Sequence, residues 1–203
     1  MEMIGRTAVC AAGLACAIAT WMLADIHYVS PTGGNIPPYT GTWSSAALTI
    51  QDAVDVAADG DTVLVTNGIY SSGGHVVSWQ VVTNRVMITN DIVVRSVNGS
   101  AATVVQGGPG IRCVYMDAGI GVGLTLTNGN AVGSGDNGCG GGVYCASGGV
   151  LEGCFINGNV AGESGGGAYY AILSNCVVNG NSAVYEGGGV TERSSTSSAA
   201  NGM

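Results

Sequence analysis

The chain carries few side chains able to do chemistry, and their spacing limits what they can do. Arg112 stands five residues before Asp117. A base beside a carboxylate is the pairing that proton transfer uses, and these two are the catalytic candidates. The same residues serve equally well as a surface ion pair or as two solvated charges. Asp136, Glu163 and Glu186 lie four, two and one residues before a glycine triplet. In a chain that coils regularly they fall along one edge, about 5 Å apart per turn. Carboxylates so spaced suit glycoside hydrolysis, which uses pairs about 5 or 6.5–9.5 Å apart. They equally suit oxygen coordination of Ca2+ or a solvated turn. Gly133-Ser134-Gly135-Asp136 partly matches Ca2+-binding nonapeptides. Cys154 and Cys176 hold the same place in two successive repeats. One turn of about 4.8 Å would bring them within the disulfide Cα range of about 4.4–6.8 Å. Stacked free thiols are the alternative, since cysteine packs as a small hydrophobe. Cys139 and Cys145 flank Gly140–Tyr144 and can close a small loop. Without a CxxC or a nearby His they do not form a zinc site. Tyr144, Tyr169 and Tyr170 follow glycine triplets, as sugar-stacking rings or as amphipathic strand filler.

Composition closes several other routes. The 203 residues include 36 Gly, five Arg, no Lys and 13 acidic residues, for a formal net charge of −8. Nucleic-acid binding is excluded as an expectation, because neutralising phosphates takes clustered Lys and Arg. Charge-driven disorder does not fit a chain that is 46% hydrophobic. Collagen does not fit glycines without a three-residue period.

Residues 1–24 read as a targeting segment. Arg6 precedes an apolar run over residues 7–24, and Ala17-Ile18-Ala19 offers a small-x-small cleavage site. A retained short membrane anchor is the alternative, and would be the chain's one route to a membrane. Export permits disulfides. Removing the segment takes Cys10 and Cys16 with it and leaves five cysteines. The expected localisation is secreted, either extracellular or at a bacterial cell surface or outer membrane.

The elements that must position the candidates repeat with a period of about 22 residues, in the range of solenoid repeats. Asn157-Gly158-Asn159 recurs as Asn179-Gly180-Asn181, Gly165–Gly167 as Gly187–Gly189, and Cys154 as Cys176. An earlier copy starts at Asn128-Gly129-Asn130. Its step to Asn157-Gly158-Asn159 is longer, with the excess in polar or Gly-rich stretches. The pieces between turns are short and β-branched, bounded by Gly, Asn and Ser, which is strand-and-turn punctuation. Helical repeats need longer periods and leucine-rich repeats need more leucine. What remains is an all-β, single-stranded right-handed parallel β-helix with like residues stacked in ladders, Asn159 over Asn181 among them. Upstream, strands are expected at Asp61–Val65, Val76–Val82, Arg85–Thr89, Ile92–Val97 and Thr103–Val105. Ile50, Ala53, Val54 and Ala57 form a helical stripe, with Thr49 as N-cap and Gly60 as closing residue. That helix would lid the first coil. The expected organisation is residues 25–60 as N-terminal strand and capping helix, and 61–203 as β-helix. Its repeats are regular from about position 124, and the chain reads as truncated at its C-terminus. An uncapped end there offers a surface for self-association.

These residues carry a resemblance. Tyr28–Gly33, Leu48–Val54 and Gly60–Val65 through Gly68–Tyr70 resemble the N-terminal cap and first turn of secreted β-helix proteins of the pectin-lyase-like superfamily. The triplets at 140, 165 and 187, with Cys154–Asn159 and Cys176–Asn181, resemble repeats of the polymorphic outer-membrane proteins. The resemblance covers roughly residues 27–203. It implies a fold shared by lyases, hydrolases, epimerases and non-catalytic adhesins. The Asn-Thr-Asp, Asp-Asp, Gly-His-Gly and Arg-Ile-Lys elements of the polysaccharide hydrolases are missing from this sequence. A lyase needs an Arg or Lys base beside Ca2+-holding carboxylates, and Arg95 or Arg112 with Asp117 would have to supply it. The expectation is an exported, non-catalytic, adhesin-like rod that binds a polysaccharide or cell-surface glycan and needs no cofactor. The alternative is a polysaccharide lyase or glycoside hydrolase, complete or lacking its catalytic turns.

Overall fold

A computed structural model describes residues 23–191 and 199–201. The protein is all-β with one short α-helix among the described residues. Its longer strands fall into three stacks. The first holds Ile26–Val29, Thr62–Val65, Val93–Ser96, Ile120–Val122, Val150–Glu152 and Ile172–Ser174, each parallel to the next. The second holds Gly68–Tyr70, Thr103–Gly108, Thr125–Ala131, Phe155–Asn157, Val177–Asn179 and Ala199–Asn201, again parallel throughout. The third holds Thr83–Ile88, Ile111–Met116, Val143–Cys145, Ala168–Tyr169 and Val190–Thr191. From Val93 onward the chain visits the three stacks in turn and returns to the first one strand further along. An antiparallel bridge, Gly108 to Ile111, joins the second and third stacks into one mixed sheet.

Strand alternation sends every second side chain inward. Because like strands align, inward residues form apolar columns. Val105, Leu126, Ile156 and Val178 make one. Val86, Val114, Val143 and Ala168 make a second, and Val63, Val94, Leu151 and Leu173 line the third wall. All are buried. Each large aliphatic side chain contributes about 1.5–3 kcal/mol by leaving water. The glycine triplets permit the close approach at one corner. A Cβ on Gly166 or Gly167 would run into the Gly188 or Gly189 carbonyl of the next coil.

The helix Ile50–Val56 is capped as its sequence implies, with the Thr49 hydroxyl accepting from Asp52 N at 3.1 Å. It buries Ile50, Ala53 and Val54. Its Gln51 side chain takes the place of a missing strand. Oε1 accepts from Met87 N at 2.6 Å and Nε2 donates to Met87 O at 3.2 Å, which satisfies the edge of Thr83–Ile88.

Three local expectations are corrected. Val76–Val82 is not a strand. Only His75–Val76 pairs, antiparallel to Thr83–Asn84, and the chain then turns through Gln80 N to Val77 O. Its Val76, Trp79 and Val81 are exposed, so no core holds the run extended. The helix ends at Val56 with extended Ala57 after it, and Gly60 (φ 91°) serves the following turn. The earlier repeat is offset by one position from its sequence match: Thr127, not Asn128, stands opposite Asn157. The reason lies at the corner. Asn128 adopts a left-handed φ of 55°, the conformation that Gly158 (63°) and Gly180 (62°) take in the later coils. Asparagine substitutes for glycine there because it tolerates that region, and Gly129 then falls under Asn159. The targeting segment, residues 1–22 of it, lies outside the described residues.

Candidate functional site

The Arg112 side chain is wholly buried, and its donors are used up. Nε donates to the Cys139 and Gly140 carbonyls, and Nη1 to Gln80 Oε1 and Asn84 Oδ1. Nη2 donates to the Asp136 and Cys139 carbonyls. The guanidinium also sits 4.9 Å from the Tyr144 ring centroid. Burial pulls its pKa down to about 10, so it stays a cation at neutral pH. An arginine so held pins the 135–140 segment to Thr83–Ile88 and is not a free base. Asp117 instead accepts the Tyr115 hydroxyl at 2.8 Å. The structure therefore does not bring Arg112 and Asp117 together as an acid–base pair.

Tyr115, Tyr144 and Tyr169 stand in register on the outside of the third stack. Their rings stack with centroids 5.7 and 5.3 Å apart and interplanar angles of 9° and 14°. Each ring covers its neighbour's face, and Tyr170 lies 4.1 Å from Tyr169. A sugar cannot stack on faces already covered, and Tyr115 and Tyr144 are buried, so these two rings are packing and not a sugar platform. Burial pushes the Tyr115 and Tyr144 phenols up, with Asp117 and Asp136 adding to the effect. Tyr169 is raised chiefly by its hydrogen bond with Tyr170.

The three acids take separate roles. Asp136 lies beside the Tyr144 hydroxyl, and Glu163 Oε1 accepts from Gly135 N at 3.3 Å. The Glu186 carbonyl accepts from Gly165 N at 3.0 Å. Among the described residues no group of three or more His, Cys, Asp and Glu side chains is placed to hold a metal ion.

The five described cysteines are free and buried. Cys139 packs with Tyr115 and Tyr144, whereas Cys145 faces the main core, so these two are separated and the small loop they flank is not closed. Cys154 and Cys176 are stacked, with Val177 N donating to Cys154 O at 2.9 Å. Cys154 Sγ donates to the Gly121 and Glu152 carbonyls and Cys176 Sγ to the Leu151 and Ser174 carbonyls, and the interaction of the two neighbouring thiols lowers the Cys176 pKa and raises that of Cys154.

The outer face of the second stack carries a pattern that motif spacing alone does not show. Ile69, Val104, Thr125, Phe155 and Val177 are in register as one outward row. Two positions along, Gln106, Thr127, Asn157 and Asn179 form a parallel row of hydrogen-bonding side chains. Shallow grooves border both rows, one lined by Ser100, Thr125, Phe155 and Asn175, the other by Gln106, Asn128, Asn130 and Val160. Asn157 Oδ1 is itself buried and has no partner within the protein, which leaves the Asn157 Nδ2 as the group this residue can present. The signal is present in the alternation around the inward Leu126, Ile156 and Val178, once the register of each coil on the next is known.

No family model matches the chain, and neither a curated protein nor a solved structure matches it.

Proposed function

We propose that the chain is an exported, non-catalytic parallel β-helix whose outer face binds an extended carbohydrate chain. One observation carries the reading: a row that is apolar except for Thr125 and an amide-and-hydroxyl row run side by side across successive coils. Apolar side chains suit the C–H faces of sugars, and amides can donate to and accept from hydroxyls. The coils advance by about 4.8 Å, so a linear polymer along the rod meets a like group at each step. Saturation of Arg112 by neutral acceptors supports binding over lyase chemistry.

The test is a glycan array followed by calorimetry with the best neutral and acidic polysaccharides. Binding lost in Phe155→Ala and Asn157→Ala, with thermal stability kept, supports the reading. Absence of glycan binding overturns it. New reducing ends or unsaturated products would replace it with the enzyme.

A further inference from the structure

We infer that Cys154 and Cys176 form a redox-responsive pair that closes a disulfide between two successive coils when a small-molecule disulfide is present. The inference rests on strand register and is independent of the carbohydrate reading. Phe155 pairs with Val177, so the preceding residues, both cysteines, are neighbours across the stack. Each lies one position before its strand, at a corner where the backbone is outside the ladder of paired residues. The spacing of parallel strands, about 4.8 Å, falls inside the Cα range of disulfides. Both thiols are free, with Cys154 Sγ donating to the Gly121 and Glu152 carbonyls and Cys176 Sγ to the Leu151 and Ser174 carbonyls, so neither is committed to another partner sulfur. Cys154, though buried, forms part of the wall of the shallow groove with Gly153, Phe155 and Asn175, the side from which a small oxidant would approach.

The chemistry balances as thiol–disulfide exchange. Cys176, the more acidic of the two thiols, loses its proton to water, attacks one sulfur of the oxidant and releases one thiol. Cys154, deprotonated in turn, attacks the Cys176 sulfur and releases the second. Two protein S–H bonds and the oxidant's S–S bond are broken. One protein S–S bond and two S–H bonds form, and two electrons pass to the oxidant. The bridge would tie one coil to the next. Closing a loop of about 20 residues raises Tm by about 7–14 °C in a chain of this size.

The experiment equilibrates the full chain with oxidised and reduced glutathione in varied ratio, quenches with acid and alkylates the remaining thiols. A Glu-specific protease cuts after Glu152, Glu163 and Glu186, which places the two cysteines on different peptides. The expected result is a cross-linked Cys154–Cys176 peptide pair that grows with oxidised glutathione and disappears on reduction. A rise in Tm should accompany it and be absent in Cys176→Ser. Both cysteines remaining alkylatable under oxidant, or Cys154 linked to another cysteine, overturns the inference. The peptide map of the unsubstituted protein decides even if the variant fails to fold.

Discussion

Replacing Asn159 with Asp changes one buried group and nothing in shape. Asn159 is fully buried. Its Oδ1 accepts from Gly129 N at 2.7 Å, while Nδ2 donates to Leu126 O at 3.0 Å and Asn181 Oδ1 at 2.9 Å. In Asn159→Asp the amide donor becomes an acceptor facing two acceptors. Each buried hydrogen bond lost costs about 1–3 kcal/mol, and the buried charge adds more. The carboxyl escapes by keeping its proton, at about 1.4 kcal/mol per pH unit above its ordinary value near 3.9. Its folded-state pKa is therefore raised above the unfolded one. The penalty is small below the unfolded pKa and grows as pH rises toward the folded pKa. Protonation caps it at about 4 kcal/mol at pH 7, beyond the one acceptor left unfilled. That corresponds to a Tm lower than wild type by about 8–16 °C at pH 7, shrinking to a few degrees near pH 4. Circular dichroism melts of both proteins from pH 4 to 7.5 make the comparison, with Asn159→Ala as a pH-independent control. A variant whose Tm tracks wild type at every pH would refute the buried ladder.

Other consequences follow from single contacts. Burial alone would raise the Asp61 pKa, but hydrogen bonds from His27 and from the Ala58 and Asp25 amides hold it below the usual value. A depressed folded-state pKa gives stability that is present at neutral pH and lost as pH falls through it. The urea midpoint should drop in acid, and Asp61→Asn should remove that part of the dependence. Gly166→Ala places a methyl against the Ser182 and Gly188 carbonyls, and should lower unfolding free energy by about 1–3 kcal/mol in urea titrations. Thr49→Ala removes the cap of the helix Ile50–Val56 and should cost about 1 kcal/mol in the same assay.

The parts of the fold legible in the sequence are those where like residues must stack. Asn159 and Asn181, Cys154 and Cys176, and the glycine triplets repeat because each occupies the same place in successive coils. Upstream coils are harder to read because their step changes each time. Ile26 faces Thr62, Thr62 faces Val93, Val93 faces Ile120 and Ile120 faces Val150, with loops of different length absorbing the differences. Arg112 cannot be assigned from its neighbours, since its side-chain partners Gln80 and Asn84 lie 32 and 28 residues away. The Tyr115–Tyr144–Tyr169 column is visible as tyrosines after glycine triplets in part only. Mutual stacking, which removes their faces from solvent, is a property of the register. The outward rows around Phe155 and Asn157 depend on the same register, and a shift of one position would turn them inward.

The most direct test of that register is an NOE spectrum of isotope-labelled protein in solution. Parallel stacking of Phe155 on Val177 and of Asn159 on Asn181 predicts cross-peaks within each of these pairs, including the Asn159 side-chain amide to Asn181. Cross-peaks from these residues confined to chain neighbours, or linking Phe155 to Ser182 or Asn159 to Val177 in place of the paired partners, would contradict it.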